Sequence, residues 1–291
     1  MTVVSHRRAL VIDPVSPALG VEVSDVDLSE TARNDDLIGE LKQLLFRHRV
    51  LFFRDQDLSP ADHVTFAERF GELETHPLAP AHPEQPKLVV LQRQRARSAD
   101  NIWHSDLSWR QDPSFGSVLR QESGPAVGGD TMWVNMAMAM AYDRLPDRVK
   151  ERIGTLRAKH SFEHAFGGTM TPQARADLAA SCPTVEHPVV WRHPETDEPI
   201  LYVNQAFTTH FVNFMQYDTV RVGQDFAYEA NTLMNYLQNQ AVIPEYQVRL
   251  RWRPGTIAFW DNRATQHYAI NDYYPEPRRM VRATIAGTPT A

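Results

Sequence analysis

The sequence has little of several features that would set it apart from an ordinary globular enzyme. It has one cysteine, Cys182, so the chain forms no intramolecular disulfide. Residues 1–8 are not followed by the apolar segment of a secretory signal. No apolar run approaches the roughly 20 residues that a membrane-spanning helix needs. We therefore expect a cytoplasmic protein without a membrane partner.

Positive charge is also scarce. The chain has 30 Lys and Arg against 36 Asp and Glu, which gives a formal net charge of −6. Binding to nucleic acid depends on clustered positive charge, so this balance argues against a nucleic-acid partner. Apolar residues make up 42% of the chain, enough for a sizeable core. Length alone allows one large domain or two modest ones; we expect a single domain over residues 1–291, and a homo-oligomer, either a dimer or a tetramer.

Helices are predicted first near the N-terminus. Residues 35–46 have apolar side chains at the spacing of a helix with one buried face. Ser59 and Pro60 are typical of a helix start, with an N-cap serine and proline at the first position, and Gly71 marks the stop. Further helices are predicted over 135–145, 147–153, 172–180 and 226–240.

Most of the remaining sequence predicts short strands separated by Gly and Pro turns. The predicted strands cover 50–53, 88–91, 102–109, 117–120, 131–134, 187–191, 200–203, 247–252, 256–260 and 282–286. Strands of this number and spacing indicate a mainly β fold with flanking helices, and a sandwich or jelly-roll core.

The most informative residues chemically are His104 and Asp106, in Trp103-His104-Ser105-Asp106, together with His267. Two imidazoles and one carboxylate hold a non-haem Fe(II) while leaving three coordination positions open. The alternation of a strand would point His104 and Asp106 to the same side. His267, from far along the chain, would then supply the third ligand.

A His-x-acid triplet alone is weak evidence in a chain with 12 histidines and 36 acidic residues. The similar triplets His82-Pro83-Glu84 and His193-Pro194-Glu195 have proline at their centre and indicate turns. The triplet at His104 gains weight from Arg278 and Arg282, because a guanidinium fork matches the carboxylate of a dicarboxylic cosubstrate. The alternative is that these arginines form a solvated charged face.

At this point the sequence resembles the taurine/2-oxoglutarate dioxygenase (TauD/TfdA) family of non-haem Fe(II) enzymes, which also contains alkylsulfatases and phenoxyacetate-degrading enzymes. The resemblance extends from about Gly20 to Ile285. Several motifs occur in the family's order: Phe70-Gly71-Glu72-Leu73, Trp103-His104-Ser105-Asp106, Gly128-Gly129-Asp130-Thr131, Tyr202-Val203-Asn204, and Trp260-Asp261-Asn262-Arg263 through His267 to Arg282.

The resemblance implies a double-stranded β-helix (jelly-roll) core and an enzyme that uses Fe(II), 2-oxoglutarate and O2. It assigns the iron and the catalysis to His104, Asp106 and His267, and the distal carboxylate of 2-oxoglutarate to Thr131 and Arg278. The positions that match the taurine enzyme's substrate site are His76, Phe166, Phe207 and Arg282, of which His76 and Arg282 match the sulfonate-gripping pair.

Three further pocket positions, Ala79, Asp100 and Ala165, depart from the taurine enzyme. Alanine replaces a tyrosine and a serine there, which enlarges the pocket and makes it more apolar. The resemblance therefore implies hydroxylation of a small organic acid bulkier than taurine (a sulfonate, sulfate ester or carboxylate), with possible C–S or C–O cleavage afterwards. Segments at about 164–185 and 207–224 are candidate lids.

Two other classes of function remain open at this point. The same three ligands serve a zinc hydrolase, although nothing in the sequence marks a general base beside the metal. A non-catalytic metal- or ligand-binding protein on the same barrel is the other alternative. Succinate formation from 2-oxoglutarate separates both from the dioxygenase.

Overall fold

A large sheet and a smaller sheet face each other in the computed structural model, which describes residues 10–93, 101–137, 141–215 and 227–287. The strands are β1 Val11–Pro14, β2 Val21–Ser24, β3 Val50–Phe53, β4 Leu73–Glu74, β5 Leu88–Arg93, β6 Gly116–Ser123, β7 Thr131–Asn135, β8 Arg157–His160, β9 Val185–Pro188, β10 Val190–Arg192, β11 Pro199–Leu201, β12 Thr208–Phe211, β13 Gln247–Leu250, β14 Ile257–Asp261, β15 Thr265–Ala269 and β16 Arg278–Ile285. The α-helices are α1 Leu28–Thr31, α2 Asp35–His48, α3 Pro60–Glu68, α4 Asp147–Ile153, α5 Glu163–Phe166, α6 Pro172–Ser181 and α7 Tyr228–Gln238. Strands dominate and helices flank them, which confirms the mainly β prediction.

The large sheet has the strand order β1-β2-β3-β14-β6-β16, and both β4 and β5 pair with β16. The smaller sheet has the order β13-β7-β15. Strands β12, β8 and β9 form a third sheet, and β10 and β11 form a hairpin. Among these strands the pairings are antiparallel except for β2 beside β3.

The period-2 alternation of the central strands divides the core into two layers. On β3, Leu51 and Phe53 belong to the apolar cluster under helices α2 and α3, whereas Phe52 faces the smaller sheet. The ring of Phe52 lies 5.5 Å from that of Trp133 on β7, and the Trp133 ring lies 5.7 Å from that of Trp260 on β14. Aromatic side chains therefore fill the space between the two sheets.

The predicted starts of α2 and α3 are confirmed. Helix α2 begins after Asn34, whose side chain accepts a hydrogen bond from the Leu37 backbone N–H. Helix α3 begins after Ser59 with a reciprocal capping box to Asp62 and with Pro60 in its first turn. Helix α4 has the predicted bounds, and α6 and α7 lie within two residues of theirs.

Two predicted elements are wrong. Residues 102–109 form no strand: His104 makes an isolated antiparallel bridge, and the chain turns from Asp106 to Trp109 with Leu107 in the left-handed conformation (φ 54°). The helix predicted over 135–145 does not begin at Asn135, because Asn135 ends β7 and Ala137 bridges to Ile200, and in the described part of this range only residues 141 and 142 are helical. Residues 138–140 lie outside the described part.

The first candidate lid, 164–185, contains the end of α5, a 3-10 turn at Gly167–Thr169 and α6. The second, 207–224, contains β12, and residues 216–224 lie outside the described residues. Throughout the described chain, the helices are too short or too polar to cross a bilayer.

Candidate functional site

His104 and His267 are joined directly through their backbones. The His104 N–H donates to the His267 carbonyl at 3.1 Å, and the His267 N–H donates to the His104 carbonyl at 2.8 Å. Such a mutually bonded antiparallel pair places both side chains on the same face, and the two imidazole centroids are 4.1 Å apart. His267 lies in the middle of β15, so the smaller sheet fixes the position of the pair.

Asp106 reaches the same point from a turn, because the chain leaves the extended conformation immediately after His104. Asn262 secures this turn: its side-chain oxygen accepts the Asp106 N–H at 2.7 Å, and its amide nitrogen donates to the Asp106 carbonyl at 2.8 Å. Asn262 therefore holds Asp106, while the neighbouring buried Asp261 pairs with Arg263 and with His193.

The three ligand groups converge. The nearest polar atoms of His104, Asp106 and His267 all lie within 4.8 Å of one another, and all three residues are buried. The Nε2 atoms of His104 and His267 are 3.8 and 3.7 Å from the two Asp106 carboxylate oxygens. His104 Nδ1 lies 2.8 Å from the Ile102 carbonyl, which only accepts, so this nitrogen carries the proton and Nε2 keeps its lone pair for a metal.

The protonation states suit a divalent cation. Burial raises the pKa of Asp106, but the charge of Arg282, followed by the two imidazoles, outweighs it and holds the net pKa well below the usual value. Burial, followed by the charge of His104, lowers the pKa of His267 to about 3. Near neutral pH the site therefore offers one carboxylate and a neutral His267 imidazole, the forms in which these groups bind metals.

Arg282 lies closer to the ligand set than the sequence indicated. Its guanidinium donates to Asp106 Oδ2 at 2.7 Å, and both side chains are buried. Arg278, Met280 and Arg282 line one cavity because alternate residues of β16 point the same way, while Val281 and Ala283 pack under the helices. Strand β16 begins at Arg278, four residues before the predicted start.

Thr131 and Arg278 line the same cavity as His104 and His267. Gly128 and Gly129 precede Thr131 with φ values of 90° and 69°. A Cβ on Gly128 would lie 2.8 Å from the Asp272 carboxylate, which accepts the Gly129 N–H at 2.7 Å. Glycine is thus required at this turn, which brings the start of β7 against the segment that leads into β16.

One cavity of about 390 Å³ contains these groups. Every candidate site residue in the described part of the chain lines it: His76, Ala79, His104, Asp106, Thr131, Ala165, Phe166, Phe207, His267, Arg278 and Arg282. Asp100, the remaining candidate, lies outside the described residues.

The cavity also has walls that sequence reasoning missed. Ile102, Leu107, Met170, Ala206 and Tyr273 line it. Only their proximity to the recognised motifs could have indicated them, because isolated apolar residues are indistinguishable from core in a sequence. Of the two aromatic residues that follow the His104 motif, Trp109 lines the cavity, whereas Phe115 packs under the helices against Phe46 and Phe259.

The chain is similar to known proteins over most of its length. The family model for the taurine catabolism dioxygenase TauD, TfdA family matches residues 12–284. The alkylsulfatase of Acinetobacter baylyi is 35% identical over 94% of this chain and 83% of its own length. The alpha-ketoglutarate-dependent sulfate ester dioxygenase of Pseudomonas putida is 33% identical over 97% of this chain and 91% of its own length.

A solved structure gives the same result for the fold. The crystal structure of AAD-2 in complex with Mn(II) and N-oxalylglycine is 26% identical and superposes with a TM-score of 0.79, over 98% of this chain and all (100%) of that one. The likeness therefore covers almost the whole chain and not the ligand triplet alone.

Proposed function

The chain belongs to the taurine catabolism dioxygenase TauD, TfdA family, and on that premise we propose that it is an Fe(II)- and 2-oxoglutarate-dependent enzyme that hydroxylates an organic sulfate ester or a related organic acid. The observation that carries the proposal is the convergence of two imidazoles and one carboxylate in a cavity that Thr131 and Arg278 also line. The two sheets would then correspond to a double-stranded β-helix.

His104, Asp106 and His267 would hold the iron through the two Nε2 atoms and a carboxylate oxygen. Bound iron, with 2-oxoglutarate and O2, supplies the oxidising power for hydroxylation. The Ile102 carbonyl holds a His104 ring proton on Nδ1, away from the proposed metal ligand atom, and burial keeps the His267 imidazole neutral. The protein also fixes the backbone of Asp106 through Asn262, holds the Asp106 carboxylate through Arg282, and buries all three residues.

Thr131 and Arg278 would bind the distal carboxylate of 2-oxoglutarate. Both side chains are buried and line the cavity. A guanidinium and a hydroxyl together offer charge-assisted hydrogen bonds to a carboxylate in a site of low dielectric constant, where such bonds are strong. The Mn(II) and N-oxalylglycine complex of a relative supports this assignment, because N-oxalylglycine is also a dicarboxylate.

His76 and Arg282 would hold the anionic group of the substrate. His76 Nδ1 accepts the Leu78 backbone N–H at 3.1 Å, so the ring proton lies on Nε2, where it can be donated to an anion. The Arg282 guanidinium, already bonded to Asp106, would place that anion beside the metal ligands. A sulfate, sulfonate or carboxylate group fits this pair of donors.

The rest of the substrate would lie against an apolar wall. Ala79, Ala165, Phe166 and Phe207 line this side of the cavity together with Met170, and we propose that α5 and α6 cover it as a lid. The names of the two curated relatives support sulfate esters as the substrate class. Hydroxylation at the carbon that bears the sulfate would release sulfate and an aldehyde or ketone. The cytoplasmic location and the homo-oligomer expected from the sequence stay predictions.

Succinate formation tests the proposal. The protein with Fe(II), 2-oxoglutarate and O2 would be offered alkyl sulfates of increasing chain length, taurine, alkyl sulfonates and aryloxyacetates. We expect succinate well above the substrate-free rate with alkyl sulfates, together with an equal amount of released sulfate. No succinate from protein shown to bind iron would contradict the dioxygenase and favour a metal-binding protein without turnover.

Variants of β16 separate the two arginine roles. Arg278→Ala should raise the KM for 2-oxoglutarate by at least about tenfold, since it removes a charged hydrogen bond, while metal binding is retained. Arg282→Ala should raise the KM for the organic substrate instead. Arg279→Ala is the matched control, because Arg279 lies between them on the strand but pairs with Glu122 on the opposite face.

A further inference from the structure

Trp252 touches both groups of the proposed carboxylate site. Its indole Nε1 donates a hydrogen bond to the Thr131 hydroxyl oxygen at 2.9 Å. Its ring lies 5.9 Å from the Arg278 guanidinium carbon, and the Tyr273 ring lies 5.6 Å from the same carbon. Trp252 and Thr131 are buried, with 4% and 3% of their surface exposed.

The direction of the indole bond determines what the hydroxyl can do. An indole N–H only donates, so the Thr131 oxygen must accept. The hydroxyl hydrogen must therefore point away from Trp252, and Thr131 lines the cavity. A threonine that is held in this way presents its O–H as a donor, the form that a bound carboxylate requires.

The packing of Trp252 makes it a rigid support. It follows β13, on which Leu250 pairs with Thr131 of β7. Its ring packs 6.3 Å from that of Trp133 in the aromatic layer between the sheets. A donor that is fixed before the ligand arrives lowers the entropy cost of binding.

We propose that Trp252 is a positioning residue for the distal carboxylate of a dicarboxylic 2-oxo acid, which it orders by fixing the Thr131 hydroxyl as a donor and by supporting the Arg278 guanidinium. This inference rests on the proposed function. It adds a residue that touches neither metal nor ligand and acts through Thr131 and Arg278.

Trp252→Phe tests it, because phenylalanine keeps an aromatic ring and loses the N–H. In the Mn(II)-loaded protein, calorimetry should show a Kd for 2-oxoglutarate about tenfold higher than in wild type, because the Thr131 hydroxyl is no longer fixed as a donor to the charged carboxylate. The Kd for 2-oxovalerate, which has no distal carboxylate, and the Kd for Mn(II) should not change. In turnover, KM for 2-oxoglutarate should rise while kcat at saturation is retained.

Two further variants test whether Trp252→Phe causes only a general packing defect. Trp133→Phe also removes an indole N–H from the same aromatic layer, but the Trp133 N–H has no hydrogen-bond partner among the described residues, so 2-oxoglutarate binding should not change. Adding Trp252→Phe to Thr131→Val should weaken binding much less than it does in wild type, because the hydroxyl that it orients is already absent.

Equal losses of 2-oxoglutarate and 2-oxovalerate binding in Trp252→Phe would overturn the inference, as would fully additive effects in the double variant. Unchanged binding in Trp252→Phe, with normal binding by wild type, would overturn the inference alone. Wild-type protein that binds Mn(II) but no 2-oxoglutarate would overturn both the inference and the proposed function.

Discussion

At the scale of single residues, the site depends on Asn262, which is not one of the three candidate metal ligands. Its amide satisfies both backbone groups of Asp106 in a buried place. An unpaired buried N–H or C=O costs about 1–3 kcal/mol. The backbone of the carboxylate ligand is therefore fixed by one amide.

Asn262→Ala should lower the free energy of unfolding by about 2 kcal/mol and raise the Kd for Mn(II) about tenfold, because the turn at Asp106 is no longer held. Metal titration and urea unfolding measure the two effects. Ser114→Ala is the control: it removes a hydroxyl that contacts the Asn262 amide and, at 3.4 Å, the Asp106 carbonyl, but it leaves both Asn262 bonds to Asp106. Equal metal affinities in the two variants would contradict this role.

His63 predicts a pH dependence of stability. It is buried with Nε2 3.0 Å from the Val118 carbonyl, and burial lowers its pKa to about 4. Below its unfolded pKa of 6.5 the unfolded chain binds more protons than the folded one. The free energy of unfolding therefore falls as the pH drops through this range, and it levels off only below the folded pKa.

The comparison with His63→Gln, which keeps an N–H donor but does not titrate, isolates this contribution. Between about pH 7 and about pH 5, wild type should lose about 2 kcal/mol more unfolding free energy than the variant. Urea unfolding at the two pH values measures it. Parallel losses in both proteins would show that His63 does not titrate in this range.

At the scale of elements, the capping box of α3 makes a local prediction. Ser59→Ala removes the side chain that caps the Asp62 N–H, and should lower the free energy of unfolding by about 1 kcal/mol. For a chain of this size the Tm should fall by about 2–4 °C. Thr65→Ala lies farther along the same helix and removes a hydroxyl bonded to the Ala61 carbonyl. It should change the Tm little, and a similar fall in both variants would contradict the capping role.

Elements were predictable where one signal dominated. The apolar spacing of α2, the Ser59-Pro60 start of α3 and the apolar run of β3 reproduce the observed elements closely. The prediction of a helix from Asn135 was wrong because methionine and alanine favour a helix locally, whereas pairing of Ala137 with Ile200 keeps the chain extended. Tertiary pairing of this kind leaves no local sequence signal.

The site residues were predictable as a set but not in their conformation. A strand through residues 102–109 was expected to align His104 and Asp106, yet the chain turns at Asp106 and the alignment comes from Asn262 and His267. Strand β15 was missed because its cavity-facing residue is His267, and a functional polar side chain disrupts the alternation that identifies a strand.

At the scale of the whole molecule, ligand binding should stabilise the fold. A ligand present at about 100 times its Kd that binds only the folded state adds about 2.7 kcal/mol. Mn(II) should therefore raise the Tm of wild type, and 2-oxoglutarate should raise it further only when Mn(II) is present. A chelator should reverse both shifts.

His267→Ala provides the control for these shifts, because it removes one of the three converging ligands. Differential scanning calorimetry should show neither the Mn(II) shift nor the 2-oxoglutarate shift in this variant. A shift of wild-type size would place the metal elsewhere in the molecule.

The bridge between His104 and His267 also has a consequence for biosynthesis. Most of the strands lie between the two residues in the sequence. Their contact is therefore among the long-range contacts that form slowly during folding. A nascent chain that emerges N-terminus first exposes His104 and Asp106 long before β15 is translated. A nascent chain that stops before β15 therefore lacks one of the three converging side chains, and the proposed metal site can form only after β15 has been made.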